Sequence, residues 1–175
     1  MKVRRVVTGH TTGGKAIIAS DMQVDAITVA LHGGEFHRLW GADVAPTFPD
    51  DGAPRPNPTY FPPVGGFRFG LFTVPPESLE LPENNDEEEG LMEMEEKLPG
   101  LLSVMEPHST GMHTTNTIDF EYVISGEVWL ELDDGVEIHL RPGDTVVQNG
   151  TRHAWHNKGT APCRLVVCTV GAHRA

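Results

Sequence analysis

At 175 residues, with 38% hydrophobic residues and three tryptophans, the chain carries enough apolar material for one core with extensions rather than two. A formal charge of -12 and a pI near 5.0 oppose a polyphosphate backbone, and beyond Arg4 and Arg5 there is no basic cluster, which excludes nucleic acid as a partner. No apolar run approaches the ~20 residues that cross a bilayer, and none follows the positive start MKVRRVVTGHTTGGK, so the expectation is a soluble, unexported, cytoplasmic protein with no membrane partner.

From Val3 to about Trp40, the runs VRRVVT, KAIIAS, AITVALHG and EFHRLWG alternate with Gly-rich breaks, the pattern of strands and hairpins. Seven of the fourteen prolines then fall between Pro46 and Pro63, which rules out a sheet interior and predicts a long loop, packed down by Phe48, Tyr60 and Phe61. FRFGLFTV resumes strand character. LPENNDEEEGLMEMEEKLPGLL reads as a helix, with Leu91, Met94 and Leu98 on one apolar face, Asn85 or Asp86 as cap and Pro99 as stop. Its eight acidic residues between Glu83 and Glu96 read as a solvated face near the helix dipole rather than a cation site.

From Phe120 onward the sequence is β. Asp134-Gly135 suits a type I′ hairpin, and Val128, Leu130 and Leu132 alternate as a half-buried strand does. Several short strands at near-regular spacing indicate a sandwich or closed barrel. Cys163 and Cys168 lie in or beside one extended run, roughly 16 Å apart, too far for a disulfide. Free thiols agree with a reducing compartment.

Residues of equal parity on a strand share a face, so an uninterrupted extended stretch turns His113, Thr115, Asp119 and Glu121 the same way, and His153, Trp155 and Asn157 form a second such set. A sheet closing on itself brings both sets inside. His113 alone proves nothing; its grouping with Asp119, costly to bury unpaired, and His153 makes the case for a cation site. Glu121 reads as general base, fourth ligand or partner of a buried Arg68 or Arg152. Trp155 is a core residue or a stacking surface. His10, His32, His37, His139, His156 and His173 read as ordinary histidines, as does His108 beside Pro107.

At these residues the chain resembles the cupin superfamily of small jelly-roll barrels. The family's first motif, G-x5-H-x-H-x3,4-E-x6-G, is met by His113, Thr115, Asp119 and Gly126, and the second, G-x5-P-x-G-x2-H-x3-N, by Gly143, Gly150, His153 and Asn157. The resemblance covers roughly residues 100 to 170. Four departures bear on function: Thr115 replaces a histidine, Asp119 replaces the glutamate, the second motif is one residue short with Gln148 for its first proline, and Pro107 stands where a glycine is usual.

The resemblance implies an all-β, jelly-roll (RmlC-like) cupin barrel over residues 67–175, with residues 1–66 as an N-terminal β extension and Pro-rich loop and one short acidic helix. It implies a divalent metal (Fe, Mn, Zn or Ni) on His113, Asp119 and His153, with Glu121 as catalytic proton shuttle and Thr115, Gln148 and Trp155 as substrate contacts. A two-His, one-carboxylate set suits Fe(II) with O₂, so oxidation of a small molecule leads, with decarboxylation or isomerisation next. The alternatives are a metal-free small-molecule-binding barrel and, last, an interaction protein without a site. A homodimer is expected, because extensions ahead of a barrel cover sheet edges by pairing.

Overall fold

The computed structural model describes residues 1–31, 33–79 and 86–175; His32, Glu83 and the candidate cap Asn85 lie outside the described residues. Nearly all the regular structure is β: β1 (Val3–His10), β2 (Ala16–Val24), β3 (Ile27–Thr28), β4 (Glu35–Ala42), β5 (Phe67–Val74), then, after one helix, β6 (Thr117–Ser125), β7 (Val128–Glu131), β8 (Glu137–Leu140), β9 (Thr145–Gln148), β10 (Ala154–His156) and β11 (Cys163–Gly171). A six-stranded sheet in the order β3-β4-β5-β11-β6-β9 packs on a three-stranded sheet, β10-β7-β8. Val74, Val123 and Leu165 from the first sheet and Val128, Leu130 and Leu140 from the second fill the space between them, the inward halves of alternating strands. This is the jelly-roll barrel.

The DG turn behaves as its chemistry requires. Asp134 and Gly135 both have positive φ, 58° and 70°, and the Val136 amide donates to the Asp133 carbonyl, closing the β7–β8 hairpin. At the N-terminus, β1 and β2 pair only with each other, whereas β4 pairs with β5 and so belongs to the barrel sheet itself. Among the described residues, the run AITVALHG supplies the two residues of β3 to that sheet. The ribbon is moored on the outside of β4: the Met1 carbonyl accepts from His37 Nε2 at 2.7 Å, Arg5 donates to the Leu39 carbonyl at 3.0 Å, and its guanidinium lies 5.5 Å from the centre of the Trp40 ring. In the Pro-rich loop Tyr60 and Phe61 pack inward, while Phe48 stays on the surface against His10.

The helix α1 (Glu87–Lys97) starts at Asp86, whose carboxylate accepts from the amides of Glu88 and Glu89. Three glutamates occupy its first turn, where the dipole favours anions. Its buried face runs through Gly90, Met94 and Leu98, so Leu91, predicted inward, is 38% exposed. The reason is at Gly90: a Cβ there would stand 3.0 Å from that of Leu31, so the helix makes its closest approach at the residue without a side chain. Met94 and the fully buried Leu98 join Val29, Phe36 and Leu101 in a second core, which closes one end of the barrel. Among the described residues no helix is long and apolar enough to cross a membrane.

Candidate functional site

Between the second core and the inner face of the large sheet lies a cavity of about 160 Å³. Phe36, Tyr60, Phe61, Phe72, Met94 and Leu101 make its wall largely apolar; Arg38, His113, Asp119, Glu121 and His153 supply polar groups, and Trp155 borders it beside His153.

The two histidines are set by backbone pairing. His113 and His153 form an isolated antiparallel bridge, each amide donating to the other's carbonyl at 2.9 and 3.0 Å, and the ring centres lie 4.1 Å apart. Each Nδ1 donates to the carbonyl two residues earlier, Gly111 and Thr151, at 2.9 Å. That bond selects the Nδ1–H tautomer and leaves Nε2 a lone pair. Burial pushes the His153 pKa down to about 4, helped by His113, and burial lowers His113 as well, so both rings are neutral at ordinary pH. A bidentate ion pair of Arg152 with Glu106, at 2.7 Å on both bonds, ties together the segments carrying the two rings.

The two carboxylates form the second group. Asp119 and Glu121 occupy alternate inward positions of β6. Burial raises Asp119 to about 6 against a hydrogen bond from Thr117 that lowers it; burial, with the charge of Asp119 second, raises Glu121 to about 8. Asp119 Oδ1 and Glu121 Oε2 are buried without a hydrogen-bond partner. The arginine readings of Glu121 do not hold: Arg68 pairs with Asp43 at 2.5 Å, and Arg152 with Glu106 and Asp133. Between neutral and slightly acidic pH the pair therefore holds one proton between its two members.

Thr115 and Gln148 fall outside the cavity lining. The parity argument breaks at Thr115 because β6 begins only at Thr117, and the intervening residues are irregular; the Thr115 hydroxyl is buried against that of Thr117, at 2.8 Å. Gln148 stands across the ladder from Asp119, where its carbonyl oxygen accepts from the Thr151 hydroxyl and its amide nitrogen has no partner. His108 sits in a loop with φ of 60° and does not line the cavity either. Residues that no local pattern announced are Arg38, on β4, and Tyr60, at the end of the Pro-rich loop. Both reach the cavity only because β4 pairs with β5.

Residues 101–169 match the Cupin domain family. This stretch is a cupin domain. Over its whole length the chain also superposes on the Cnp3 cupin domain of Schizosaccharomyces pombe, with a TM-score of 0.51 at 9% identity, covering 98% of this chain and 89% of that one. Phomopsin biosynthesis cluster protein C' of Diaporthe leptostromiformis is 41% identical over 81 residues, 43% of each chain. The cupin-domain-containing oxidoreductase virC of Hypocrea virens is 41% identical over 58 residues, 31% of this chain and 30% of that relative. The matched stretches thus span less than half the length of these relatives.

Cupin barrels commonly hold a metal, and the donors here can be tested against one. Two Nε2 lone pairs beside each other suit a divalent transition metal, which ordinarily asks for at least three protein donors. Among the described residues no group of three His, Cys, Asp or Glu is arranged to hold an ion. His113, Asp119 and His153 nonetheless line one cavity, with Glu121 two residues along β6 from Asp119.

Proposed function

We propose that this cupin is an enzyme that moves protons on a small, largely apolar molecule inside the barrel, with Asp119 and Glu121 as its acid–base pair. The observation that carries the reading is that pair: two carboxyl groups on one strand, aimed into an apolar cavity, with raised proton affinities and one unpartnered oxygen each. At neutral pH Asp119 is the base and Glu121 the acid. A substrate C–H next to a carbonyl gives its proton to Asp119, and Glu121 returns one at another atom of the resulting enol system. The sum is an isomerisation in which no electron is gained or lost. Tyr60, which burial and Asp119 keep protonated, is a hydrogen-bond donor for the substrate oxygen, and the two Nε2 atoms are acceptors for a hydroxyl.

The reading is tested by incubating the protein with phenylacetaldehyde and phenylacetone in D₂O and following α-deuteration by NMR. Exchange above buffer that falls about 100-fold in both Asp119→Asn and Glu121→Gln is expected. Exchange indifferent to both substitutions refutes it.

The imidazole pair supports a second reading, in which a divalent metal would be held by His113 and His153 with a cavity carboxylate as third donor and the reaction would be an oxidation, as the name of the Hypocrea virens relative suggests. Such an ion supplies Lewis-acid polarisation of a bound oxygen. Elemental analysis of untagged protein decides it: stoichiometric metal lost in both His113→Ala and His153→Ala favours this reading, and metal content unchanged by either variant eliminates it.

A further inference from the structure

Arg38 is the unusual cation of the cavity. The irregularity of β4 between Arg38 and Trp40 leaves Arg38 opposite Gly70, which has no side chain to occupy the space in front of it. Its guanidinium is engaged through Nη2 alone, with Asn57 Oδ1 at 2.8 Å, the Thr59 carbonyl at 2.9 Å and the Asn57 carbonyl. All three acceptors are neutral. Arg68, the other arginine of the lining, has its carboxylate in Asp43 and three backbone carbonyls besides. Among the described residues no carboxylate lies within ion-pair distance of Arg38, although the chain carries twenty-five acidic residues. The nearest anion that acts on it, Asp43, is spent on Arg68, whose own charge repels Arg38. A half-buried guanidinium without an ion pair of its own is costly, and the cost is recovered when a ligand supplies the charge.

We propose that the cavity selects a single-ring compound bearing a carboxylate, with the carboxylate on Arg38 and the reacting carbon toward Asp119 and Glu121. The proposal rests on the cavity being the site of action. Size limits the ligand: about 160 Å³ is close to the ~150 Å³ that an apolar cavity needs to take up one benzene ring. Charge makes the arginine necessary, because a chain of net charge -12 repels anions and a local cation must offset that field. Tyr60, Arg38, Asp119 and Glu121 line the same cavity, so one ligand can meet both the cation and the carboxyl pair.

The probes are phenylacetate and its neutral isostere phenylacetamide, titrated calorimetrically into wild type, Arg38→Gln and Arg38→Lys. The expected result is at least tenfold tighter binding of the carboxylate by wild type, a preference abolished in Arg38→Gln with amide binding retained, and restored in part by Arg38→Lys. Equal binding of both probes by wild type, or an undiminished preference in Arg38→Gln, overturns the role of Arg38 while leaving the cavity as a binding site. Binding of neither probe overturns both. The lysine variant, which keeps the charge, separates loss of charge from disturbance of the Asn57 loop.

Discussion

Replacing Glu121 by glutamine isolates the cost of holding a carboxylate in this cavity. Glu121 keeps its proton up to about pH 8, against 4.5 in the unfolded chain, mainly because it is buried and secondarily because Asp119 is beside it. Between those two values the folded chain binds more protons than the unfolded one, so stability falls as pH rises through the folded pKa. At about 1.4 kcal/mol per tenfold change in proton affinity the ceiling of this loss is roughly 5 kcal/mol. Relaxation and water entry reduce it, and about 2–3 kcal/mol is the expected reading. Glutamine has no charge to expose, so Glu121→Gln matches wild type at pH 5 and exceeds it above pH 8. Urea denaturation from pH 5 to 9 measures this. Asp119→Asn removes the neighbouring charge and leaves burial alone to raise Glu121, so the midpoint of the loss lies below 8 in that variant. Stability curves of wild type and Glu121→Gln that run parallel across the range refute the reasoning.

Burial makes the two histidines protonate at lower pH than a surface imidazole: NMR of the His153 ring is expected to show the neutral form at pH 5 and a midpoint near 4. A midpoint at or above 6 contradicts its burial. Leu98→Ala removes the fully buried anchor of α1 and is expected to cost about 2–5 kcal/mol in denaturant unfolding. Gly70→Ala places a Cβ 2.5 Å from the His37 carbonyl oxygen; separating β4 from β5 by the half ångström or more that this demands costs about 1–3 kcal/mol in the same assay, and full stability in that variant contradicts the register of the two strands.

The cupin segment was largely legible in the sequence because its signals are local. The DG turn, the alternation of VWLEL and the glycine and histidine spacings each depend on a few neighbouring residues. The arrival of His113, Asp119, Glu121, His153 and Trp155 at one cavity follows from strand parity plus closure. What parity cannot supply is depth along the barrel. It gives the face on which Asp119 lies but not whether its oxygens reach the imidazoles, and it presumes an unbroken strand, which fails between His113 and Thr117. Arg38 and Tyr60 were illegible for another reason. Their place depends on a pairing between β4 and β5 that spans the whole Pro-rich loop. Leu91 was misplaced because helical spacing counts side chains, and the closest helix contact is made by a glycine.

The pairing of β4 with β5 has an evolutionary consequence. The protonating groups and the imidazoles come from the stretch that matches the cupin family, whereas Arg38, Phe36, Tyr60 and Phe61 come from before it. Under the proposed function, reactivity and selectivity are written in different parts of the chain. Divergence can proceed in one part while the other is held constant.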